Sequence, residues 1–384
     1  MRKLFYEDTH ITDFTATVIS CEPVEEKKLF RVLLNSTAFF PEEGGQSADK
    51  GTLNGKPVLD VQIENDLIYH YIAEEIPSAS TAIGHVDWAQ RFDFMQQHSG
   101  EHIISGLVHS TFGYTNVGFH LSNNEVTLDF NGELTPEQLQ EIELRANEII
   151  YKNLPVEISY PSKAELADLS YRSKIEIEGQ IRIVTIPGVD VCACCAPHVT
   201  TTGEIGIIKI TNCQSHRGGV RLNILCGARA LADYNKKQVS VTAVSVTLSA
   251  KQDLIANAVL KLKEDILRQQ ERINNLQAKY LELCISALPA PSETEHAVLF
   301  VDKMDTIALR NTVNALVAHY TGFCAVFSGN EPDGYQFIIG SKNKDCKELA
   351  RTFRTTLGAK CGGNTPMIQG SVIAPAERIK ELVK

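Results

Sequence analysis

Two short groups of histidine and cysteine residues, far apart in the chain, place the strongest constraint on its fold. The first is the segment His98–His102, which reads HSGEH inside an apolar-periodic run. Residues four apart on a helix lie on one face, roughly 6 Å from each other, so His98 and His102 can offer two imidazoles to one metal ion. Structural zinc takes four ligands and catalytic zinc takes three with a water, so the remaining ligands must come from a distant segment.

The second group is the segment Cys192–His198, where three of the ten cysteines and one histidine fall within seven residues. In a straight strand, which rises about 3.3 Å per residue, Cys194 and His198 would lie roughly 13 Å apart and share no metal. The segment must therefore turn. Pro197 agrees with this, because proline fits a turn better than a central strand.

Each group also has an ordinary structural explanation. Histidines four apart on a helix are often simply packed or capped, and free cysteines are among the most buried residues. The two groups complement each other in ligand count, however, and together they predict one zinc site. On spacing alone, Cys192 and Cys195 remain alternatives to Cys194 as the cysteine ligand.

The length and composition are those of a globular protein with several domains. A chain of 384 residues exceeds one compact core, so two or three domains are expected. No apolar run approaches the length of a membrane span, and the N-terminal residues 1–8 lack a signal-peptide core. We therefore expect a cytoplasmic protein without membrane contact, whose cysteines are reduced, metal-bound or buried rather than paired in disulfides.

Charge is distributed unevenly along the chain. The net charge is −10, but residues 1–230 contain 18 basic and 31 acidic residues, whereas residues 231–384 contain 19 and 16. A basic segment at 342–360 is explained equally well by a solvated helix face and by contact with nucleic acid. Its basic residues are Lys342, Lys344, Lys347, Arg351, Arg354 and Lys360.

Residues 1–90 predict a small β-barrel or a curled sheet. Strand-like runs rich in β-branched and aromatic residues alternate with glycine, proline and asparagine. Between them, the paired glycines Gly44 and Gly45 either form a tight turn or let the backbone approach a ligand. The strand-like runs are Phe14–Ile19, Leu29–Leu34, Val58–Ile63 and Leu67–Tyr71.

Residues 91–234 predict an α+β domain. The helix with the candidate ligands is followed by strand-like runs and by a second helix. Thr135 as a cap and Pro136 at the first helical position predict the start of this second helix. The strand-like runs are Glu125–Phe130, Val156–Tyr160, Ile181–Ile186, Gly206–Thr211 and Val220–Cys226.

Residues 235–288 predict a helical, coiled-coil segment. Apolar residues alternate steps of four and three over four heptads, interrupted only by Gln269. This seam either pairs two chains through the helix at 255–283 or packs within one chain. Its residues are Ile255, Val259, Leu262, Ile266, Ile273, Leu276, Tyr280 and Leu283.

After the prolines at 289 and 291, residues 289–384 predict a small α/β domain that closes with the glycine-rich segment 358–364. Two helices are expected between its strands. The expected elements are the strands Ala297–Val301, Cys324–Ser328 and Gln336–Gly340 and the helices Thr306–Tyr320 and Asp345–Thr356.

Three motifs occur in the same order as in the editing domain of alanyl-tRNA synthetase and its freestanding relatives, which the chain therefore resembles. They are FFPEEGGQSADKG at 39–51, HSGEH at 98–102 and C-x-x-x-H at 194–198. Nearly the whole chain is similar to the long form of the AlaX trans-editing proteins. The resemblance implies an α+β fold with an N-terminal β-barrel, a zinc-binding editing domain, a coiled-coil-like helix and a C-terminal DHH-associated domain that binds tRNA or dimerises.

The same resemblance implies roles for individual residues. The family's second metal motif usually reads Cys-Gly-Gly-Thr-His, whereas here it reads Cys-Cys-Ala-Pro-His, so Cys195 stays open as a ligand. The implied zinc ligands are His98, His102, Cys194 and His198. The implied substrate contacts are Thr37, which matches the threonine that touches the misplaced amino acid, and Gly44, Gly45 and Gln46, which match the glycine-rich motif beside the 3′ end.

By resemblance the protein is a Zn2+-dependent aminoacyl-tRNA deacylase of protein biosynthesis, which releases serine or glycine from tRNA(Ala). Nucleotide binding, including ATP, comes with the same resemblance. A synthetase pocket for alanine rejects serine only about a hundredfold, so a second site must remove the error. We expect Thr37 to be satisfied by serine and left unpaired by alanine, a difference of about 1 to 3 kcal/mol. The zinc either activates water or orients the ester.

Two other interpretations follow from the residues. HSGEH also fits the H-x-x-E-H signature of inverted zincins, in which Glu101 is the general base of a peptidase and Glu176 or Glu178 is the third ligand. That interpretation leaves the segment 192–198 and the glycine-rich motif without a role. The non-enzymatic alternative is an RNA-binding protein held together by zinc and a coiled coil.

Overall fold

The structure, a computed structural model, describes residues 1–173 and 180–384 and has a mixed α/β architecture. The chain divides into two compact units, Met1–Val241 and Thr242–Lys384. Within the described ranges, no helix is long and apolar enough to cross a membrane. The expected division at residues 90, 234 and 288 stays a prediction.

The first unit begins with a strongly curled sheet of seven strands in the order β6-β5-β9-β2-β3-β8-β7. Its edge strands β6 and β7 are separated only by Leu59, whose N–H donates to the Tyr71 carbonyl at 2.8 Å. The sheet is therefore nearly a barrel, as predicted. The seven strands are β2 (Asp13–Val24), β3 (Leu29–Leu34), β5 (Gly51–Leu53), β6 (Lys56–Val58), β7 (Asp60–Glu64), β8 (Leu67–Ile72) and β9 (Thr81–Val86). Two short strands, β1 (Arg2–Lys3) and β4 (Ser36–Thr37), form a separate parallel pair.

Every second side chain along the strands points inward and fills the interior of this near-barrel. Phe14, Ala16 and Val18 of β2 are buried while their neighbours are exposed, which is the period of two expected for a strand with one apolar face. One predicted strand is wrong: Val58–Ile63 is split between β6 and β7, because the chain passes at Leu59 from one edge of the sheet to the other.

The rest of the first unit combines helices with two small antiparallel sheets, ordered β10-β11-β16-β15 and β12-β13-β14. The predicted start of α2 is confirmed, with Thr135 and Gln138 forming a capping box and Pro136 at the first position. The elements are α1 (Trp88–Phe112), β10 (Asn116–Leu121), β11 (Val126–Phe130), α2 (Pro136–Lys152), β12 (Glu157–Ser159), α3 (Lys163–Asp168), β13 (Ile183–Ile186), β14 (Asp190–Ala193), β15 (Ile208–His216) and β16 (Gly219–Cys226). The helix α4 (Gly227–Leu248) begins in this unit and ends in the second.

The helix α1 is the central element of this unit. The side chain of Asp87 caps its first turn, and Gly113 in the left-handed conformation ends it. Ile103, Ile104 and Val108 are buried in a core shared with the four-stranded sheet and α2. Because the helix is buried along residues 94–108, its polar side chains must find partners inside the protein.

The second unit contains a five-stranded sheet in the order β17-β18-β19-β21-β20. The prediction that the glycine-rich segment 358–364 closes the domain is wrong. Gly358 ends α7, and the next residues pair with β21 in a hairpin that α8 follows. The elements are α5 (Ile255–Ser286), β17 (Ala297–Val301), α6 (Thr306–Val317), β18 (Cys324–Asn330), β19 (Gly334–Gly340), α7 (Cys346–Leu357), β20 (Lys360–Asn364), β21 (Met367–Val372) and α8 (Ala376–Val383).

The long helix α5 contacts this unit through one face near its end. Leu281 is buried in the core beneath α6, and Ile285 packs against that core. The predicted seam lies on another face, where Val259 is 47% exposed, Ile266 56% and Leu276 57%. The seam is therefore not covered by the chain's own described residues, and the pairing of two chains along it stays a prediction.

Candidate metal centre

The helix α1 and the segment after β14 bring the four predicted ligands together. Cys194 Sγ lies 3.5 Å from His98 Nε2 and 3.4 Å from His198 Nε2. The ligand atoms of these residues and of His102 all lie within 4.8 Å of one another. Four atoms held tetrahedrally at about 2.0 to 2.3 Å from zinc lie ~3.3 to 3.8 Å apart, so the group can enclose one ion with small side-chain movements.

The predicted turn of the segment Cys194–His198 is confirmed, and Arg182 holds it. Arg182 is buried, and its Nη1 donates to the carbonyls of Cys194 at 2.7 Å and Ala196 at 3.0 Å. The carbonyl of Arg182 in turn accepts the Cys194 N–H at 3.1 Å. No local pattern identifies this arginine in the sequence, because it lies in an ordinary strand-like run.

The two neighbouring cysteines face other surroundings. Cys195 lies beside the glycine-rich turn, where a Cβ added to Gly44 would meet its Sγ at 3.2 Å. Cys192 belongs to a second group of possible ligands with His102 and Asp190. Both oxygens of Asp190 already accept hydrogen bonds from protein groups, so the second group is the poorer metal site.

Each histidine of the cluster has a hydrogen-bond partner on Nδ1, which leaves Nε2 for the metal. The oxygens of Gln46 and Asp190 only accept, so they hold the proton of a neutral ring on Nδ1 and leave its Nε2 unprotonated; the Ser99 hydroxyl can accept from Nδ1 of His198 in the same way. All three histidines are buried. The pairs are His98 with Gln46 Oε1 at 2.8 Å, His102 with Asp190 Oδ2 at 2.9 Å and His198 with Ser99 Oγ at 2.9 Å.

Asp190 is itself held in place by Arg172. The guanidinium donates two parallel hydrogen bonds, from Nε at 2.7 Å and from Nη2 at 2.8 Å. Burial alone would raise the pKa of Asp190, but the hydrogen bonds from His102 and Arg172 outweigh burial and lower it. The carboxylate therefore stays charged and orients His102. Neither Asp190 nor Arg172 carries a sequence signal that would have singled it out.

The electrostatics of the metal-free cluster favour a thiolate. Burial would raise the pKa of Cys194, but the imidazoles of His98 and His198 and hydrogen bonds with His102 and His198 lower it well below its ordinary value. Burial would also lower the pKa of His102, but hydrogen bonds to Asp190 and Cys194 raise it to about 10. The pKa of His198 falls to about 3, chiefly through burial. The donor set is thus one thiolate with imidazoles, which suits zinc.

The glycine-rich motif forms a tight turn that docks on β10. Gly44 and Gly45 have φ of 64° and 83°, and a Cβ on Gly45 would lie 2.4 Å from the Phe119 carbonyl oxygen. The Leu121 N–H donates to the Gly45 carbonyl at 2.7 Å. The glycines thus permit a close approach to protein backbone, and they carry the buried Gln46 to the metal cluster.

Thr37 is buried and already has two hydrogen-bond partners. Its Oγ1 lies 2.8 Å from His70 Nε2, and the Phe39 N–H donates to it at 3.1 Å. The expectation that alanine would leave this hydroxyl unpaired is therefore wrong. Sequence reasoning missed His70, although a polar residue on the inward face of β8, two positions after Ile68, was a usable signal.

A buried ion pair joins the near-barrel to α1 beside this site. Arg91 pairs with Asp49 and donates to the carbonyls of Ala38 at 2.6 Å and Thr9 at 3.0 Å. Asp49 also accepts the Phe40 N–H at 2.6 Å. The segment that follows Thr37 is thus fastened to the helix that carries the candidate ligands.

Glu101, the general base of the peptidase interpretation, lies beside the cluster, with its Oε2 3.7 Å from His102 Nε2. It is buried, and its Oε1 accepts hydrogen bonds from Ser105 at 2.7 Å and Asn116 at 2.6 Å. The carboxylates nominated as third ligand, Glu176 and Glu178, lie outside the described residues. The donor set is instead completed by the cysteine and histidine of the second motif.

Known proteins resemble this chain over most of its length. The family described as "Threonyl and Alanyl tRNA synthetase second additional domain" matches residues 181–222, which include Cys194 and His198. The alanyl-tRNA editing protein Aarsd1-A of Xenopus laevis is 30% identical over 284 residues, which cover 70% of this chain and 68% of that protein. Aarsd1 of Danio rerio is 27% identical over 386 residues, covering 97% and 94%. AlaX-L of Pyrococcus horikoshii is 31% identical over 246 residues, covering 62% and 60%.

Proposed function

This chain belongs to the alanyl-tRNA editing proteins, and from that premise we propose that it hydrolyses the ester joining a wrong amino acid to tRNA(Ala). One observation carries the proposal beyond the family relationship. Three buried imidazoles converge with the Cys194 sulfur, and the neighbouring walls of the site hold the glycine-rich turn and the segment after Thr37. This arrangement offers a set of metal ligands, hydrogen-bond donors and a contact for a small side chain.

The substrates we propose are seryl-tRNA(Ala) and glycyl-tRNA(Ala). A pocket that accepts alanine discriminates weakly against an amino acid that differs by one hydroxyl or one methyl group, so both errors need a second, hydrolytic site. Hydrolysis breaks the bond between the carbonyl carbon and the ribose oxygen. Water supplies the hydroxyl of the released amino acid and the proton of the ribose hydroxyl.

The metal we propose is Zn2+, held by His98, His102, Cys194 and His198. The fit is chemical: a soft thiolate and three imidazoles with their Nδ1 atoms engaged form a donor set that zinc prefers over hard cations. When bound, zinc supplies a positive charge that can polarise or orient the ester. Four protein donors match closed zinc sites rather than sites with an open water position, which favours orientation over activation of water.

Gln46 is the residue of the glycine-rich motif best placed to contact the substrate. Its Oε1 accepts from His98, while its buried Nε2 has no hydrogen-bond partner within the described parts of the chain. A buried donor without a partner costs about 1 to 3 kcal/mol, and a ligand that accepts from it recovers this cost. We propose that Gln46 donates to an oxygen of the aminoacyl end, with Gly44 and Gly45 beside it.

The second unit supplies the proposed contacts with the tRNA body and with a second chain. The basic residues at 342–360 lie on and beside α7, and most of their side chains are exposed. The exposed seam of α5 offers a surface for another copy of the same helix. ATP binding stays a prediction.

The deciding experiment measures release of labelled serine and glycine from mischarged tRNA(Ala), beside alanyl-tRNA and a peptide substrate. We expect the wild-type protein to release serine, Cys194→Ser to lose both zinc and activity, and the matched control Cys213→Ser to keep both. Cleavage of the peptide without release of serine would establish the peptidase alternative. Binding of tRNA without hydrolysis of any ester would establish the non-enzymatic one.

A further inference from the structure

His70 is a buried histidine that takes no part in the metal cluster, yet both of its ring nitrogens have partners. It lies on β8 with no exposed surface. Its Nδ1 is 3.1 Å from the Val32 carbonyl oxygen, and its Nε2 is 2.8 Å from Thr37 Oγ1. A histidine between a backbone carbonyl and a hydroxyl can orient that hydroxyl.

The partners determine where the protons lie. A carbonyl oxygen only accepts, so the proton of the neutral imidazole must be on Nδ1, facing Val32. The ring is neutral because burial lowers the pKa of His70 to about 4, against a smaller opposite effect of the Val32 hydrogen bond. Its Nε2 therefore carries no proton and accepts a hydrogen bond from the Thr37 hydroxyl. The hydroxyl proton of Thr37 points at His70.

This orientation of the Thr37 hydroxyl leaves one of its hydrogen-bond acceptor positions free. An alcohol oxygen has one proton and two acceptor positions. The proton is directed to His70, and the Phe39 N–H occupies one acceptor position. Among the described residues no other group donates to Oγ1, so Thr37 can only accept a hydrogen bond from a ligand.

The segment that follows Thr37 packs in the same core as the segment Cys194–His198. The residues that follow it, Ala38, Phe39 and Phe40, share a core with Ala196, and Cys194 packs against that core. This shared core links the segment that begins at Thr37 to the segment that carries two of the candidate ligands.

We propose that His70 is a positioning residue that makes Thr37 an acceptor-only contact, so that the site prefers a seryl ester over glycyl and alanyl esters. The inference rests on the proposed function and adds the reason for its specificity. A seryl hydroxyl donates to Thr37 Oγ1, whereas the methyl group of alanine and the hydrogens of glycine have nothing to donate. Without His70, the Thr37 proton is free to rotate toward the substrate and oppose the seryl donor.

The test is a double-mutant cycle read as kcat/KM on seryl-, glycyl- and alanyl-tRNA(Ala). His70→Phe keeps a ring but removes the acceptor, and we expect the preference for seryl over alanyl ester to fall roughly tenfold, the worth of about one hydrogen bond. In a Thr37→Val background the same change should leave the ratio unaltered, because no hydroxyl remains to be oriented. His70→Gln, whose amide can donate to Val32 and accept from Thr37, should restore much of the preference.

The matched control is Ile68→Val, a change on the same inward face of β8 that alters packing but no hydrogen bond. It should lower the activity toward all three substrates equally, if at all. Equal losses for His70→Phe, or a further fall of the ratio in the double variant, would show that His70 is only structural. Should His70→Phe not fold, nitrogen NMR of wild-type His70 decides instead, since a proton on Nε2 overturns the inference and a proton on Nδ1 supports it.

The proposed function fails in a different way. If the wild-type protein releases no serine from seryl-tRNA, the family assignment does not extend to this activity, whatever the His70 variants do. If the wild type releases serine and the His70 variants keep its preference, the function holds and only the role of His70 is lost.

Discussion

Replacing Asp190 by asparagine tests whether the hydrogen bonds behind the cluster control its affinity for zinc. Asp190 Oδ2 accepts from His102 Nδ1 at 2.9 Å, and the same carboxylate pairs with Arg172. An asparagine offers one acceptor oxygen for these two partners and carries no charge. His102 thus loses the anion that orients it and makes its Nε2 more basic.

The expected loss of zinc affinity follows from the usual effect of such a carboxylate and from its burial. Changing an acidic group that supports a metal-bound histidine weakens metal binding about 10- to 100-fold, or about 1.4 to 2.7 kcal/mol. We expect the larger end, because the carboxylate is only 2% exposed and little water is available to replace it. The unfolding free energy of the zinc-free protein should fall by a further ~3 to 5 kcal/mol, since Arg172 is left without its anion.

The assay is competition for zinc with a chromophoric chelator, together with urea denaturation of the zinc-free protein. Asp129→Asn is the matched control, because Asp129 forms the same two-pronged pair with Arg221, at 2.6 and 2.7 Å, in the four-stranded sheet. It should lose some stability and keep its zinc affinity. If Asp190→Asn binds zinc as tightly as the wild type, or if the control loses as much affinity, the carboxylate does not support the metal through His102.

Four further predictions concern the metal cluster and other parts of the molecule. Zinc affinity should fall about tenfold for each unit of pH below about 10, because the raised pKa of His102 means that zinc must displace a proton from this ring. Calorimetry in buffers of different ionisation enthalpy should find about one proton released per zinc, and zinc binding without proton release would contradict the prediction. Arg91→Met should lower the unfolding free energy by ~3 to 5 kcal/mol, because it leaves Asp49 buried and unpaired, and a loss below about 1 kcal/mol in urea denaturation would count against it. Ile266→Glu on the exposed seam should convert a dimer to a monomer in sedimentation while serine release persists, and a monomeric wild type would refute the pairing. Removal of residues 288–384 should flatten the salt dependence of tRNA binding without abolishing hydrolysis, and an unchanged slope would assign the C-terminal domain another task.

The sequence alone identified the features that depend on neighbours a few residues apart. His98 and His102 share a helix face because of a spacing of four, and Thr135 with Pro136 marks the start of α2 through capping chemistry. The heptads predicted the long helix, and the strand pattern predicted the near-barrel. Each of these rules acts within one or two turns of chain, where spacing and residue type are sufficient.

Only the tertiary structure decided which cysteine enters the cluster. Cys192, Cys194 and Cys195 have equivalent local patterns, and the difference comes from Arg182, which binds the carbonyls of the turn and directs Cys194 inward. The partners of the histidines likewise come from distant segments, with Gln46 from the near-barrel and Asp190 from β14.

The roles of Thr37 and His70 show the same limit most clearly. Resemblance singled out Thr37, but the state of its hydroxyl depends on a residue 33 positions away on another strand. Hydrogen-bond direction is set by which donors and acceptors meet in space, and a spacing rule carries no information about groups that only folding brings together.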